Sequence, residues 1–118
     1  MAYRVVIVDD DPTFRRVAAA LLTARGFEVV GSAADSASGL RAISELRPAA
    51  ALVDLQLPDG SGLELAAQIQ TLDPDTRVLL TSAGTNYVEA QPMADSGVRG
   101  FVPKERLASI DLVSALSL

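Results

Sequence analysis

The sequence contains neither cysteine nor histidine, and each absence excludes a class of chemistry. Without cysteine there can be no disulfide, no thiolate metal site and no cysteine nucleophile, which fits a reducing cytoplasm. Without histidine the chain lacks the usual zinc ligands, a Ser-His-Asp triad and a histidine that could carry a phosphoryl group. Aromatic residues make up only 4% of the chain, so its core must be built from Val, Leu, Ile and Ala.

Positive charge is also scarce. The 10 basic residues are outnumbered by 15 acidic ones, and the net charge of −5 disfavours nonspecific binding of nucleic acid. No apolar run approaches the roughly 20 residues of a membrane span, and the amino terminus has no signal-peptide pattern. The 118 residues are the length of one domain, which we expect to be cytoplasmic, with no direct binding to nucleic acid or membrane.

Short apolar runs alternate with helical patterns along the whole chain. Residues 49–53 are all apolar and lead into Asp54, a pattern typical of a strand buried on both faces in a parallel sheet. Strands are also predicted for residues 3–8, 27–30, 77–81 and 99–102, and helices for residues 12–26, 35–46, 61–72, 85–96 and 105–118. The alternation predicts an α/β fold in which right-handed crossovers join five parallel strands, with helices on both faces.

Several residues mark the ends of the predicted helices. Gly26 is typical of a helix carboxyl terminus, and Asp35 and Ser61 are typical of helix amino termini. In the first helix, the apolar residues at positions 14, 17, 18, 21 and 22 predict one buried face. Asp11 is interpreted as a solvated turn residue or a cap of that helix, and Asp59 as an ordinary turn residue without a catalytic role.

Polar side chains stand where four of the predicted strands end. They are Asp9, Asp10, Asp54, Ser82 and Lys104, the last being the only lysine of the chain. Because the carboxyl ends of parallel strands meet at one edge of a sheet, we expect these side chains to converge. Three neighbouring carboxylates resist ionising together, and a hard divalent cation such as Mg²⁺ (or Mn²⁺) would relieve their repulsion.

This set of residues has what phosphoryl transfer to an aspartate requires. The transition state is loose, so catalysis depends on positioning and on neutralisation of charge by a metal and a lysine. An ionised carboxylate is already a nucleophile, and Asp54 is predicted to accept the phosphoryl group. Lys104 and Ser82 are predicted to hold the phosphoryl oxygens. Thr81 competes with Ser82 for that role, and the strand alternation favours Ser82.

Four segments of the chain resemble the receiver domains of two-component response regulators. They are VDDDP at residues 8–12, VDLQLPDGSG at 53–62, VLLTSA at 78–83 and GFVPK at 100–104. The resemblance covers essentially the whole chain, residues 1–118. It implies a flavodoxin-like (βα)5 doubly wound fold, with a five-stranded parallel sheet in the order 2-1-3-4-5. It also implies phosphorylation by a sensor histidine kinase or a phosphotransfer protein, with no catalysis beyond the domain's own phosphorylation and dephosphorylation.

The family motifs imply a set of metal ligands. Asp54 matches the phospho-accepting aspartate, which also contacts the metal. Asp9 and Asp10 match the acidic pair, of which the second binds the metal directly and the first often does so through water. The backbone carbonyl of Gln56 matches the third protein ligand. Gln56 and Gly84 are also expected to flank the path of the water that hydrolyses the acyl phosphate.

The motifs imply a conformational switch as well. Ser82 matches the switch Ser/Thr, Phe101 the aromatic switch residue and Lys104 the lysine of the family. The fourth helix, fifth strand and fifth helix form the usual output or dimer surface, so a homodimer is compatible with the sequence. Two features depart from the family pattern. Many receivers have proline after the lysine, whereas Glu105 follows Lys104 here, a pattern nearer that of regulators with helix-turn-helix output domains. Pro92 interrupts the fourth predicted helix, which we expect to be short or kinked.

Other functions fit parts of the same pattern. A phosphorylation-independent interaction module would have the same fold with an unused site, but the complete set of five polar side chains argues against it. A metal-dependent phosphatase would need a second acid and a substrate pocket. A nucleotide-binding flavodoxin-like protein would need a glycine-rich loop after the first strand. The sequence leaves open whether the output domain is fused or separate.

Overall fold

A computed structural model describes residues 2–83 and 98–118 of the chain. Its central sheet is parallel and consists, in chain order, of β1 (Tyr3–Val8), β2 (Phe27–Ala33), β3 (Ala50–Asp54), β6 (Arg77–Ser82) and β7 (Val98–Pro103). The strand order is β2-β1-β3-β6-β7, which is 2-1-3-4-5 when only these five strands are counted. A short antiparallel hairpin, β4 (Gln56–Leu57) and β5 (Gly60–Ser61), follows β3. The predicted flavodoxin-like fold is confirmed.

Three α-helices connect the first four strands of the sheet. They are α1 (Pro12–Ala24), α2 (Ser36–Leu46) and α3 (Gly62–Leu72). Each begins where a side-chain oxygen accepts a hydrogen bond from a free amide of the first turn. The caps are Asp11, Asp35 and Ser61. The chain leaves α1 through Gly26, whose φ of 90° lies in the left-handed region that glycine tolerates.

The sheet has a hydrophobic layer on each face. Successive residues of a strand point to opposite faces, so Val6 and Leu80 pack with α2 and α3, whereas Ile7 and Leu79 pack with α1 and the carboxyl-terminal segment. Every residue of β3 is buried, as expected for a strand covered on both faces. Within the described residues, no helix is long and apolar enough to cross a membrane.

The carboxyl-terminal segment differs from the prediction. One helix was expected over residues 105–118, but the chain forms a 3-10 helix, Lys104–Ser109, and then a short helix, α4 (Leu112–Ala115). Ile110 is extended between them, and the carboxylate of Asp111 caps α4 by accepting from Ser114 N. The apolar residues of this segment still pack against the sheet, but they lie on two short helices instead of one continuous helix.

Val17 is a second difference. It was assigned to the buried face of α1, yet 59% of its surface is exposed. Ala18 and Leu22 are buried as predicted, so the part of α1 that contacts the sheet is narrower than the apolar pattern suggested. The helix predicted over residues 85–96, including Pro92, and the position of Gly84 lie outside the described residues.

Candidate functional site

The parallel register places the ends of four strands side by side. Asp54, the last residue of β3, pairs with Thr81 of β6, and Ser82 pairs with Pro103 of β7. Asp9 follows β1 and Lys104 follows β7 directly. The side chains that were expected to converge are therefore brought to the carboxyl edge of the sheet, as the sequence predicted.

Three carboxylates form a compact group at this edge. Asp9, Asp10 and Asp54 each offer one oxygen, and these oxygens all lie within 4.8 Å of one another. Asp9 is fully buried and Asp54 is 8% exposed, whereas Asp10 faces solvent. Hard carboxylate oxygens at this spacing are the donors that Mg²⁺ and similar cations prefer, so the group could hold a metal ion.

Lys104 lies against two of these carboxylates. Its Nζ is 2.8 Å from Asp9 Oδ2 and 3.4 Å from Asp54 Oδ2. Burial and the neighbouring charge of Asp9 raise the pKa of Asp54, although Lys104 partly offsets them. Burial acts to lower the pKa of Lys104, but the two carboxylates outweigh it and the pKa lies above its ordinary value. The ammonium therefore stays charged in the site.

The buried carboxylate of Asp9 provides a test of whether a cation fits. Its Oδ1 accepts a hydrogen bond from Asp11 N at 2.9 Å, and Arg15 Nη1 donates to its backbone carbonyl at 2.6 Å. Its buried Oδ2 lies 2.8 Å from Lys104 Nζ, so the lysine ammonium already pairs its charge. The single ammonium of Lys104 faces three carboxylates at this edge, and because two of them are buried, their negative charge is costly unless a further cation is bound. The donor set therefore fits a divalent cation.

The loop after β3 is held close to Asp54 by its backbone. Gln56 N donates to Asp54 Oδ1 at 3.3 Å, and Gly62 N donates to the carbonyl of Leu55 at 2.7 Å. A Cβ at Gly62 would lie 2.2 Å from the carbonyl oxygen of Asp54, so only glycine allows α3 to begin this close to the strand. Gln56 itself is exposed at the rim of the site.

The two residues expected to form the switch lie on neighbouring strands. Ser82 is 6% exposed at the end of β6. Phe101 lies on β7, where it pairs with Leu80 and packs partly buried against the layer that includes α2 and α3. Thr81, the competing hydroxyl, is fully buried next to Asp54 in the register. The switch roles of Ser82 and Phe101 stay predictions.

The sequence reading missed three contributors to this edge. The carboxylate of Asp59 accepts hydrogen bonds from Ser36 N and Ala37 N, and so connects the loop after β3 to α2. Arg15 binds the carbonyl of Asp9, and the ring of Phe14 lies 4.4 Å from Lys104 Nζ. The first turn of α1 carries the last two residues, whose types and positions give no local signal of their contacts with Lys104 and Asp9.

A five-stranded flavodoxin-like sheet with an acidic group and a lysine at its carboxyl edge defines a receiver-type domain. The chain belongs to that family, because the model of the response regulator receiver domain matches residues 5–117. Receiver domains of this family are signalling modules of two-component systems.

Individual relatives agree with this assignment. The putative positive transcription regulator of virulence factors BvgA of Bordetella pertussis is 34% identical over 104 residues, which are 88% of this chain and 50% of that protein. The receiver domain of the putative response regulator NarL of Mycobacterium tuberculosis has a TM-score of 0.79 and 32% identity, covering 98% of this chain and 91% of that one. A LuxR-family regulator of Aurantimonas sp. SI85-9A1 has a TM-score of 0.87 and 30% identity, covering 99% and 84%. The chain spans about half the length of curated relatives such as BvgA and the NarL protein of Mycobacterium tuberculosis.

Proposed function

We propose that the chain accepts a phosphoryl group on Asp54 and relays its phosphorylation state to an output partner. The observation that carries this proposal is the position of Lys104 Nζ between two buried carboxylates, 2.8 Å from Asp9 and 3.4 Å from Asp54. An ammonium in that position would contact the oxygens of a phosphoryl group attached to Asp54. The proposed donor is the phosphohistidine of a sensor histidine kinase or of a phosphotransfer protein.

In the proposed reaction, one carboxylate oxygen of Asp54 attacks the phosphorus atom. The bond between phosphorus and the donor's imidazole nitrogen breaks, and the nitrogen keeps the electron pair. Lys104 and the Ser82 hydroxyl hold the phosphoryl oxygens and favour the charge that spreads over them. Hydrolysis reverses the modification, because water adds to phosphorus and the bond from phosphorus to the Asp54 oxygen breaks.

The residues that would hold Mg²⁺ or Mn²⁺ are Asp9, Asp10, Asp54 and, through its backbone carbonyl, Gln56. When bound, the metal would supply positive charge that neutralises phosphoryl oxygens. The burial of Asp54 beside Asp9, which raises the pKa of Asp54, supports a need for such charge. Lys104 alone does not offset that cost.

The proposed output is a two-state change of the surface formed by β7 and the carboxyl-terminal segment; the fourth helix of the predicted surface lies outside the described residues. Ser82 would move toward the phosphoryl group and let Phe101 turn inward, so that phosphorylation favours one of two states. The relatives named above include transcription regulators, which favours an output through a fused or separate DNA-binding domain. We further propose that residues 1–118 form the receiver, act in the cytoplasm and do not themselves contact DNA.

The test is a titration with beryllofluoride, a stand-in for the phosphoryl group, followed by amide NMR spectra with and without Mg²⁺. Asp54→Asn removes the acceptor charge and keeps its shape, and Asp59→Asn makes the same change in the adjoining loop as a control. We expect shifts that need Mg²⁺ and Asp54, survive in the control, and spread from Ser82 to Phe101 and α4. Shifts confined to the site would exclude the switch. No response in the wild type would favour the phosphorylation-independent module.

A further inference from the structure

An aromatic ring faces the ammonium group of the candidate site. Lys104 Nζ lies over the Phe14 ring, 4.4 Å from its centroid. A lysine ammonium within about 6 Å of a ring centroid is attracted by the negative face of the ring. Phe14 belongs to the first turn of α1, which begins immediately after the acidic residues that follow β1.

The position of the ring is fixed by the fold. Asp11 caps α1 by accepting from Thr13 N, and Arg15 Nη1 binds the carbonyl of Asp9, so the first turn is attached to the site on both sides of Phe14. The ring is partly buried and packs against the hydrophobic layer that includes Ile7 and Leu107. These contacts therefore hold the Phe14 ring next to the Lys104 ammonium.

The three partners of Lys104 among the described residues differ in what they would do when a cation and a phosphoryl group are bound. Asp9 and Asp54 are carboxylates that would also bind the proposed cation, and Asp54 is the proposed phosphoryl acceptor. The Phe14 ring is not a ligand for a hard cation or for a phosphoryl group. The ring can therefore stay in contact with Lys104 while the two carboxylates exchange their contact with Lys104 for contacts with a cation or a phosphoryl group.

We propose that Phe14 is a positioning residue that keeps the Lys104 ammonium in the cleft while Asp9 and Asp54 are engaged by a cation and a phosphoryl group. The inference rests on the proposed function for its purpose, but the contact itself can be measured without phosphorylation. A purely structural role is the alternative, because Phe14 also covers apolar core. Leucine fills a similar space without a ring, so Phe14→Leu separates the two roles.

The first measurement uses the fact that Lys104 is the only lysine of the chain. Lysine labelled with ¹³C then gives one set of side-chain NMR signals, and a ring face shifts the nearby ε-CH₂ protons upfield. We expect this upfield shift in the metal-free protein, its persistence with Mg²⁺ and beryllofluoride, its loss in Phe14→Leu and its recovery in Phe14→Tyr. An unshifted signal in the wild type, or a shift that Mg²⁺ abolishes, would overturn the proposal.

The second measurement is the rate of phosphorylation by acetyl phosphate with Mg²⁺. A cation–π contact is worth about 0.5–1 kcal/mol at a partly exposed site, so Phe14→Leu should slow the reaction about two- to fivefold. Phe14→Tyr should retain the wild-type rate. Replacing Phe14 by phenylalanines with increasing numbers of ring fluorines weakens the negative ring face with little change of shape, and should lower the rate in the same order.

Phe27→Leu is the matched control. Phe27 packs in the same hydrophobic layer as Phe14 but lies at the start of β2, with its ring 6.0 Å from that of Tyr3. Its replacement should lower stability without changing the Lys104 signal or the phosphorylation rate. Equal effects of the two substitutions on the rate would show a structural role and overturn the proposal. A wild type that shows the ring shift but is never phosphorylated would contradict the proposed function, and not the contact.

Discussion

Asp54 is held in a position that disfavours its own charge. It is 8% exposed, and both burial and the nearby Asp9 raise its pKa, while Lys104 compensates only in part. A group whose pKa is higher in the folded than in the unfolded state makes the ionised folded protein less stable. The site therefore carries an electrostatic cost at Asp54 that the proposed binding of a cation would relieve.

The first prediction concerns the pH dependence of stability in Asp54→Asn. Between the ordinary pKa of 3.8 and its raised folded value, the native wild type binds more protons than the unfolded chain. The contribution of Asp54 to the free energy of unfolding of the wild type therefore falls as the pH rises between these two values, and it stays low at higher pH. We expect Asp54→Asn to be more stable than the wild type near neutral pH, with the difference vanishing in acid. Urea unfolding of both proteins in chelator-treated buffer, at a series of pH values, measures this difference in stability.

Asp35→Asn gives a control of opposite sign. Hydrogen bonds from the side chain and backbone of Ser38 lower the pKa of Asp35, so its charge stabilises the folded state above the ordinary pKa and this contribution is lost in acid. The substitution should reduce stability near neutral pH and have no effect at low pH. If Asp54→Asn followed the same course as Asp35→Asn, the electrostatic cost assigned to Asp54 would be wrong.

The amino terminus of α2 depends on two carboxylates from different parts of the chain. Asp35 accepts from Ser38 N at 2.8 Å, and Asp59 accepts from Ser36 N at 2.7 Å and Ala37 N at 3.0 Å. Three of the four amides that a helix leaves free at its start are thereby satisfied. Because Asp59 lies in the hairpin after β3, the same contacts attach the loop of the candidate site to α2.

We expect Asp59→Ala to lower the free energy of unfolding by about 1 kcal/mol, the typical value for loss of a helix cap. Asp59→Asn should retain part of that stability, because its amide oxygen can still accept one hydrogen bond. Urea unfolding of the two variants and the wild type provides the measurement. Equal stability of Asp59→Ala and the wild type would mean that solvent satisfies these amides equally well.

Most elements could be predicted because their signals are local. The apolar runs, Asp35, Ser61 and Gly26 fixed the strands and first three helices to within a few residues. The segment after β7 could not be predicted in the same way. Its apolar residues have spacings that fit one helix, but Asp111 binds Ser114 N and starts a new helix instead.

The same distinction applies to the candidate site. Asp9, Asp10, Asp54 and Lys104 could be placed together because each stands at a strand end, and parallel strands end at one edge. The contacts of Asp59 and of Phe14 depend on how a loop and a helix pack against other elements. A carboxylate in a turn and an aromatic residue on an apolar face carry no local signal of those partners, so only the three-dimensional structure shows them.

At the scale of the whole molecule, α1 contacts the chain after β7 at both of its ends. Phe14 in its first turn lies against Lys104, and Arg25 at its carboxyl terminus donates to the carbonyls of Ala108 and Ile110. The segment between these contacts places Leu107 in the core beneath α1. The chain that carries Lys104 into the site is therefore attached to both ends of α1, in addition to its pairing and packing with the sheet.

The last prediction is that Arg25→Ala loosens this segment without unfolding the sheet. Two backbone carbonyls lose a charged donor. Because Arg25 is exposed, solvent weakens these hydrogen bonds, and each contributes at most about 1 kcal/mol. We expect faster amide hydrogen exchange at residues 112–118, where the amides of Ala115 and Leu116 are bonded within α4, and unchanged exchange in β1 and β3.

Arg106→Ala removes the same charge from an exposed residue of the 3-10 helix and should leave exchange unchanged. Acceleration in both variants would point to net charge as the cause. Acceleration in Arg25→Ala alone, accompanied by a weaker upfield shift of the Lys104 signal, would show that the far end of α1 helps to hold the lysine in the candidate site.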